Sequence, residues 1–334
     1  MKFLLAQINP VVGDLEGNAN KILCIASKAN SISADFVLTP ELSLWGYPAN
    51  DLLLKKNLIR NQYQILDQLA LEINKKYRDL SVTVGMAEII NDSFFPNLYN
   101  SIALLEGGEW KIIARKIILP TYEVFDEKRY FRSEKKVSVL IKKIKNKTWR
   151  LGFTICEDLW VNKDIEGRGI HKKNPIIDFK KKKVDILVNL SASPYTFKKL
   201  ELRSKVSSFA AQYLQVPLIY VNQIGANDNL IFDGNSFILD KNGSKIKQLK
   251  SFSEELSSWE IEQTKPEKNK FENSEISSIF DALVLGVKDY AKKCGFKTAL
   301  IGLSGGIDSA LVSAIATAAL GSKNIYCVSM PSKW

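Results

Sequence analysis

Histidine occurs once in this chain, at His171. It sits in GRGIHKKNP, which reads as an exposed loop. A single histidine all but excludes the usual Cys–His pair, which needs an imidazole base beside its nucleophile. The four cysteines, Cys24, Cys156, Cys294 and Cys327, show no C-x-x-C spacing. That argues against a zinc ribbon and a disulfide framework, and a reduced, cytoplasmic chain is the simple expectation. Long apolar runs are missing too. No segment approaches the roughly 18 apolar residues of a membrane span. Residues 1–7 (MKFLLAQ) are too short for a secretory core and read as a first strand. Positive charge exceeds negative, 47 residues to 36, for a net charge of +11. The excess gathers in lysine clusters at 135–147 and 180–183. No aromatic residues interleave in the manner of a nucleic-acid module. These clusters read as solvated surface, and neither nucleic acid nor membrane is expected as a partner.

What the chain does have is apolar content, 46% of 334 residues, which is ample for a core and allows two domains. Strand-like apolar runs fall at 2–8, 35–38, 81–86, 149–155, 185–190, 218–221 and 236–240. A hairpin is expected over 98–105 and 110–118, around Gly107 and Gly108. Helical spacing appears at 18–29, 58–77 and 199–214. The last of these is expected to bury Leu202, Val206, Phe209, Ala210 and Tyr213 on one face. Cys24, Cys294 and Cys327 lie in apolar contexts and are expected in the core. The alternation predicts an α/β domain over residues 1–246. Residues 247–274 are polar, contain Pro266 and read as a linker. Residues 275–334 begin a second α/β unit with helix 275–293, strand 297–303, helix 309–319 and strand 324–329.

The second unit carries GLSGGIDSAL, residues 302–311. A glycine-rich turn between a strand and a helix exposes backbone N–H groups suited to phosphate. No lysine follows the second glycine, so this is not a Walker A loop. Ser304 and Asp308 would also fit simple helix capping, but the doubled glycine Gly305–Gly306 makes capping alone the poorer explanation. The run Gly302, Leu303, Ser304, Gly305, Gly306, Ile307, Asp308, Ser309 resembles the pyrophosphate-releasing ATP loop. Enzymes with that loop adenylate a substrate and then displace AMP with a nitrogen or sulfur nucleophile.

In the first domain three residues stand at expected strand ends, where α/β sheets collect their chemistry. They are Glu41 in TPELSLWGYP, Lys116 in ARKIILP and Cys156 in GFTICEDLW. A thiol nucleophile needs a base and a cation, and a carboxylate beside an ammonium keeps both ionised. On its own, Cys156 fits a small core residue equally well.

Together these motifs resemble the carbon–nitrogen hydrolase (nitrilase) superfamily, whose Glu-Lys-Cys triad has this order. The segments RKIILPTYEVFDEKRYF, CEDLW, NLSASPY and VNQIGANDNLIFDGNSFILD, with the attached phosphate loop, resemble the branch formed by glutamine-dependent NAD⁺ synthetases. The resemblance implies a four-layer α-β-β-α sandwich followed by the start of an adenine-nucleotide α-hydrolase-like α/β domain. It implies Glu41 as general base, Lys116 as catalytic lysine, Cys156 as nucleophile on the glutamine carboxamide, and Glu127 as a second glutamate near Lys116. It implies Tyr122, Ser193 and Lys199 as glutamine ligands, although Lys198 can replace Lys199, Tyr122 also fits packing, and Ser193 also fits a turn before Pro194. Gly302 to Ser309 would cradle ATP, with Asp308 on Mg²⁺, while the glutaminase half needs no cofactor. Glutamine, ATP and deamido-NAD⁺ are the implied partners, in a homo-oligomer. The family's synthetase domain normally runs well past Met330, so the second domain is expected to be incomplete here. A free-standing amidase with a vestigial tail, or a non-catalytic assembly subunit, would be the alternatives. Retention of Glu41, Lys116 and Cys156 speaks against the latter.

Overall fold

The computed structural model describes residues 1–91, 94–161, 174–263, 266 and 274–330. His171 lies outside them. In chain order the first unit contains β1 (Lys2–Gln7), α1 (Leu15–Ser31), β2 (Phe36–Leu38), α2 (Lys56–Lys76), β3 (Ser81–Ile89), β4 (Leu98–Glu106) and β5 (Glu109–Arg115). It continues with β6 (Val139–Ile144), β7 (Lys147–Ile155), α3 (Pro175–Lys182), β8 (Ile186–Ser191), α4 (Lys199–Leu214) and β9 (Leu218–Asn222). It closes with β10 (Ile224–Asn227), β11 (Leu230–Asp233), β12 (Phe237–Leu239), β13 (Lys245–Gln248) and β14 (Glu255–Glu260). The second unit holds α5 (Glu275–Cys294), β15 (Ala299–Leu303), α6 (Ile307–Leu320) and β16 (Ile325–Ser329).

Two six-stranded sheets are stacked, in the orders β14-β1-β2-β3-β4-β5 and β13-β12-β9-β8-β7-β6. Side-chain alternation explains the stacking. Phe3 and Leu5 of β1 point to the space between the sheets, where they join Phe153, Val188 and Val221 of the other sheet. Leu4 and Ala6 point the other way, into a cluster with Ile22 and Ile25 of α1 and Leu66 and Leu69 of α2. In the second sheet Leu187 and Leu218 face outward against Phe179 of α3 and Val206 of α4. Strands buried on both faces are mostly apolar, as parallel strands under helices require, with buried polar residues such as Gln7, Asn189 and Ser191 near their carboxyl ends. The result is the four-layer α-β-β-α sandwich.

The parallel pairs β1/β2, β2/β3, β7/β8 and β8/β9 are crossed by α1, α2, α3 and α4 respectively. α1 starts where Asp14 accepts from Gly17 N at 2.9 Å, a side-chain N-cap. α5 starts on Ser274 and stops at Gly295, whose φ of +78° is the left-handed end favoured by glycine. In the second unit β15 and β16 pair in parallel and α6 connects them. Leu300, Ile307 and Tyr326 are exposed there. Among the described residues no helix is long and apolar enough to cross a membrane.

Three expectations need correction. Within the expected linker 247–274, β14 pairs antiparallel with β1 from Lys2↔Glu260 to Gln7↔Glu255, so the first sheet extends into that span. Trp259 supplies the apolar anchor, buried and stacked on Phe3 at 6.1 Å. The buried face of α4 is rotated from the expected one. Val206 and Ala210 are inside, but Phe209 and Tyr213 are outside, and Arg203 and Ser207 take their place. The reason is the buried ion pair between Arg203 and Asp233 at 2.8 Å, which turns the helix toward β11. Finally, Cys24, Cys294 and Cys327 are exposed. Cys24 lies off the α1 stripe of Leu15, Ala19, Ile22, Ala26 and Ala29 that meets the sheet.

Candidate active site

Loops at one end of the two sheets carry the polar residues that the core excludes. Glu41 follows the end of β2, Lys116 the end of β5, Cys156 the end of β7, and residues 192–193 the end of β8. Carboxyl ends of strands are where an α/β sheet leaves a crevice. All of these residues are nevertheless buried: Glu41 and Lys116 are 1% exposed, Glu127 4% and Cys156 9%.

The centre is an ammonium between two carboxylates. Lys116 Nζ donates to Glu41 Oε1 and to Glu127 Oε1, each at 2.7 Å. Glu41 also accepts from Asn100 Nδ2 at 2.7 Å and from Ala192 N at 2.9 Å. A carboxylate offers about four acceptor directions, and three donors leave one open. Glu127 Oε1 additionally accepts from the Tyr47 hydroxyl at 2.8 Å. Burial alone would lower the pKa of Lys116, but the charges of Glu127 and Glu41 outweigh it and hold the ammonium well above its ordinary value. Glu127 is pushed up to about 7, by burial first, with Lys116 pulling down and Glu41 pushing up. Burial and then the Glu127 charge keep Tyr47 far above the usual phenol range, so it remains an O–H donor.

Cys156 adopts φ +45°, in the left-handed region that non-glycine residues rarely occupy. Asp158 holds this turn. Its Oδ2 accepts from Ile155 N at 3.0 Å, and its Oδ1 from Ile117 N and Ile118 N at 3.0 and 2.8 Å. One buried carboxylate thus ties the nucleophile turn to the residues just after Lys116. Burial pushes the Cys156 thiol well above its ordinary range; Glu41 adds to this and Lys116 offsets part of it. The resting thiol is therefore neutral, and reaction requires a base to take its proton as it attacks.

Tyr122 donates its hydroxyl to Glu157 Oε2 at 2.9 Å, so it stands beside the residue after Cys156. Ser193 is held on three sides: its N–H donates to Asn222 Oδ1 at 2.8 Å, its Oγ accepts from Arg203 Nε at 3.1 Å, and its carbonyl accepts from Arg203 NH2 at 2.7 Å. Lys199 Nζ lies 4.8 Å from the centre of the Trp160 ring, whereas Lys198 reaches Glu275 of α5 at 3.8 Å. Sequence reasoning missed Tyr47, Asn100, Glu157, Asp158 and Arg203. Of these Tyr47 lies within TPELSLWGYP and Glu157 and Asp158 within GFTICEDLW, whereas Asn100 and Arg203 lie in no quoted motif.

The residues 302–309 lie on the second unit. Gly305 takes φ +82° and a Cβ there would meet nothing within 4 Å. Ser304 and Ser309 hydroxyls lie 3.2 Å apart. No side chain caps the start of α6, so its N–H groups face outward, the arrangement a phosphate uses. Asp308 is exposed in its first turn. Among the described residues no three His, Cys, Asp or Glu side chains gather as a metal site.

Gly85 of β3 lies directly under the Glu41 turn. A Cβ there would stand 2.2 Å from Leu42 N and 2.7 Å from Pro40 O. Gly85→Ala is expected to cost about 1–3 kcal/mol, the usual penalty of overpacking, and to displace Glu41. Denaturant unfolding measures this, and a variant as stable as the parent would contradict it.

The carbon–nitrogen hydrolase family profile matches residues 5–266, and the NAD synthase profile matches residues 279–334. A glutamine-dependent NAD(+) synthetase of Synechocystis sp. is 42% identical over 99% of this chain. Another, of Acinetobacter baylyi, is 36% identical over 99%. The chain spans 59% and 58% of the length of these two relatives. Among solved structures, a glutamine-dependent NAD+ synthetase from Acinetobacter baumannii in complex with ADP superimposes with a TM-score of 0.86 at 34% identity, over 99% of this chain and 59% of that one. An amidase of the nitrilase superfamily from Nesterenkonia shares the sandwich, with a TM-score of 0.62 at 18% identity, over 77% of this chain and 89% of that one.

Proposed function

The chain belongs to the carbon–nitrogen hydrolase family, and on that premise we propose that it hydrolyses the side-chain amide of glutamine to glutamate and ammonia, as the nitrogen-supplying part of a glutamine-dependent NAD⁺ synthetase. The observation that carries this reading is the buried Lys116 ammonium held between Glu41 and Glu127 beside a strained cysteine turn. Glu41 takes the Cys156 proton into its open acceptor direction as the sulfur attacks the amide carbon. Lys116 supplies positive charge for the developing oxyanion. The C–N bond then breaks, the proton passes to the leaving nitrogen, and ammonia departs from a thioester. Water, deprotonated by Glu41, attacks that thioester and releases glutamate and the thiol. Tyr122, Ser193 and Lys199 support the reading as walls for the amino-acid end of glutamine. Glu157, a buried carboxylate, suits its α-ammonium.

In the second unit the loop 302–309 suits the phosphates of ATP, which adenylates the carboxylate of deamido-NAD⁺ before ammonia displaces AMP. Asp308 would hold Mg²⁺ together with those phosphates, where the ion neutralises their charge. Four free thiols accord with a reducing, cytoplasmic setting, and the family resemblance suggests a homo-oligomer.

The test incubates the purified chain with glutamine, asparagine and small aliphatic amides and measures ammonia release. Glutamine is expected to be preferred, with a mass increase at Cys156 for the trapped thioester. Turnover of simple amides without glutamine would favour a general amidase. The pH profile carries a further expectation. Glu127 must be ionised to hold Lys116, so kcat/KM should fall as pH drops through about 7. Glu127→Gln should flatten that limb at a lower rate. A profile level down to pH ~5, the region where unperturbed carboxylates titrate, would remove Glu127 from this role.

A further inference from the structure

The β10–β11 hairpin stands between the second unit and the candidate site, and polar contacts hold it on both sides. On the outer side α5 lies across it. The buried Asp289 carboxylate accepts from Asn9 Nδ2 at 2.6 Å and from Ala226 N at 2.8 Å. Lys293 Nζ donates to Asn9 Oδ1 at 2.7 Å, Asn227 Oδ1 at 2.7 Å and Ala226 O at 3.0 Å, and it pairs with Asp289 at 3.2 Å. The approach is close enough to demand glycine at 225, where φ is +114° and a Cβ would sit 2.1 Å from Asn9 Oδ1.

On the inner side the same segment holds two walls of the site. Asn227 Nδ2 and Gln223 Nε2 donate to the Tyr47 carbonyl at 2.9 and 3.2 Å. The Tyr47 hydroxyl in turn holds Glu127, and Glu127 holds Lys116. At the far end of β11, Asp233 pairs with Arg203, which fixes the carbonyls of Ser193 and Pro194. Asn227 is the hinge of this arrangement. Its oxygen is committed to Lys293 and its nitrogen to Tyr47, so the lysine fixes which way the amide faces.

We propose that Asp289 and Lys293 of α5 are positioning residues for the hydrolytic site, setting through the β10–β11 hairpin where Tyr47 holds Glu127 and Lys116. The proposal rests on the glutaminase reading of that site. A buried ion pair adds little net stability against its desolvation, but it fixes direction. Small displacements of a catalytic group are costly in rate, on the order of 10²-fold per ångström.

The test compares Lys293→Met with Lys292→Met, an exposed neighbour of the same charge on α5, in the full chain. In Lys293→Met, kcat for glutamine hydrolysis is expected to fall roughly 10-fold with KM within about 2-fold, while Lys292→Met matches the parent. Tyr47→Phe should lose a similar factor. The double variant Lys293→Met/Tyr47→Phe should fall no further than the worse single variant, because both act through one chain of contacts. The rate of Cys156 alkylation by iodoacetamide, read peptide by peptide at fixed pH, is a second measure that needs no turnover. It should change at least ~3-fold in Lys293→Met and not in Lys292→Met. If the parent chain does not hydrolyse glutamine, the glutaminase reading fails and alkylation alone decides the positioning role. Unchanged kcat and alkylation in Lys293→Met would overturn the proposal, even with a lower melting temperature. So would losses that multiply in the double variant. Should Lys293→Met not fold, Asp289→Asn, which keeps the side-chain volume, is judged by the same criteria.

Discussion

Cys156→Ala is expected to lower glutamine hydrolysis by on the order of 10⁴-fold or more, the scale of losing a covalent nucleophile, while the fold survives. The residue is small and 9% exposed, so removing its sulfur leaves only a slight void. Alanine meets the same φ of +45° as cysteine does, so the backbone strain is unchanged. Asp158 still holds the turn through its three backbone donors. The comparison that checks this is ammonia release against urea unfolding, run on the same preparation. Alanine at Cys24, Cys294 or Cys327, all on the surface, should leave the rate within about 2-fold, as surface changes away from a site usually do. A large loss at any of these three with Cys156→Ala still active would move the nucleophile elsewhere.

Lys116→Met is the second large effect, and it strikes stability as well as rate. Methionine fills the space but leaves Glu41 and Glu127 buried without the cation between them. Breaking a buried pair from one side typically costs about 3–5 kcal/mol. Loss of oxyanion charge should lower kcat by at least ~10²-fold. The pH dependence has a definite sign. In the parent, a lysine raised above its ordinary value contributes stability that is fully present below its unfolded pKa and lost only above it. Its contribution is therefore level across neutral pH. In the variant the carboxylates can be relieved only by taking up a proton, so the penalty should be larger at pH 8 than at pH 5. Urea midpoints of parent and variant at the two pH values measure this. A gap that stays constant or widens toward pH 5 would mean that the carboxylates are not facing each other uncompensated.

The sequence already marked Glu41, Lys116 and Cys156, because each closes a visible strand and joins a motif. It could not mark Asn100 or Tyr47, whose importance comes from partners 59 and 80 residues away. Arg203 was hidden for a different reason. On a helix a charged residue is normally placed outward, and here the buried partner Asp233 reverses that rule. The sandwich was legible where strands carry short apolar runs, as FLLA in β1 and ILV in β8. It was illegible at β14, ELSSWE, whose two apolar residues, Leu256 and Trp259, fall on opposite faces among polar ones and look like a linker. β10, IGAN, is too short and small to register as a strand, although it lies against α5. β6 disappeared inside a lysine cluster, where Lys142 in fact reaches Glu106 of β4 in the other sheet at 2.6 Å.

The position of β14 has a practical consequence for anyone dividing this polypeptide. A piece ending near residue 246 would retain every group of the candidate hydrolytic site. It would also strip the outer strand from β1 and uncover Phe3, which Trp259 now shields. An apolar strand edge with unpaired N–H and C=O groups is a template on which other copies add. Such a piece would keep the side chains of that site, without the α5 contacts that position them, and would be prone to sticking to itself. The sandwich therefore runs through Glu260, and a piece that also keeps the α5 contacts on the β10–β11 hairpin runs through Lys293.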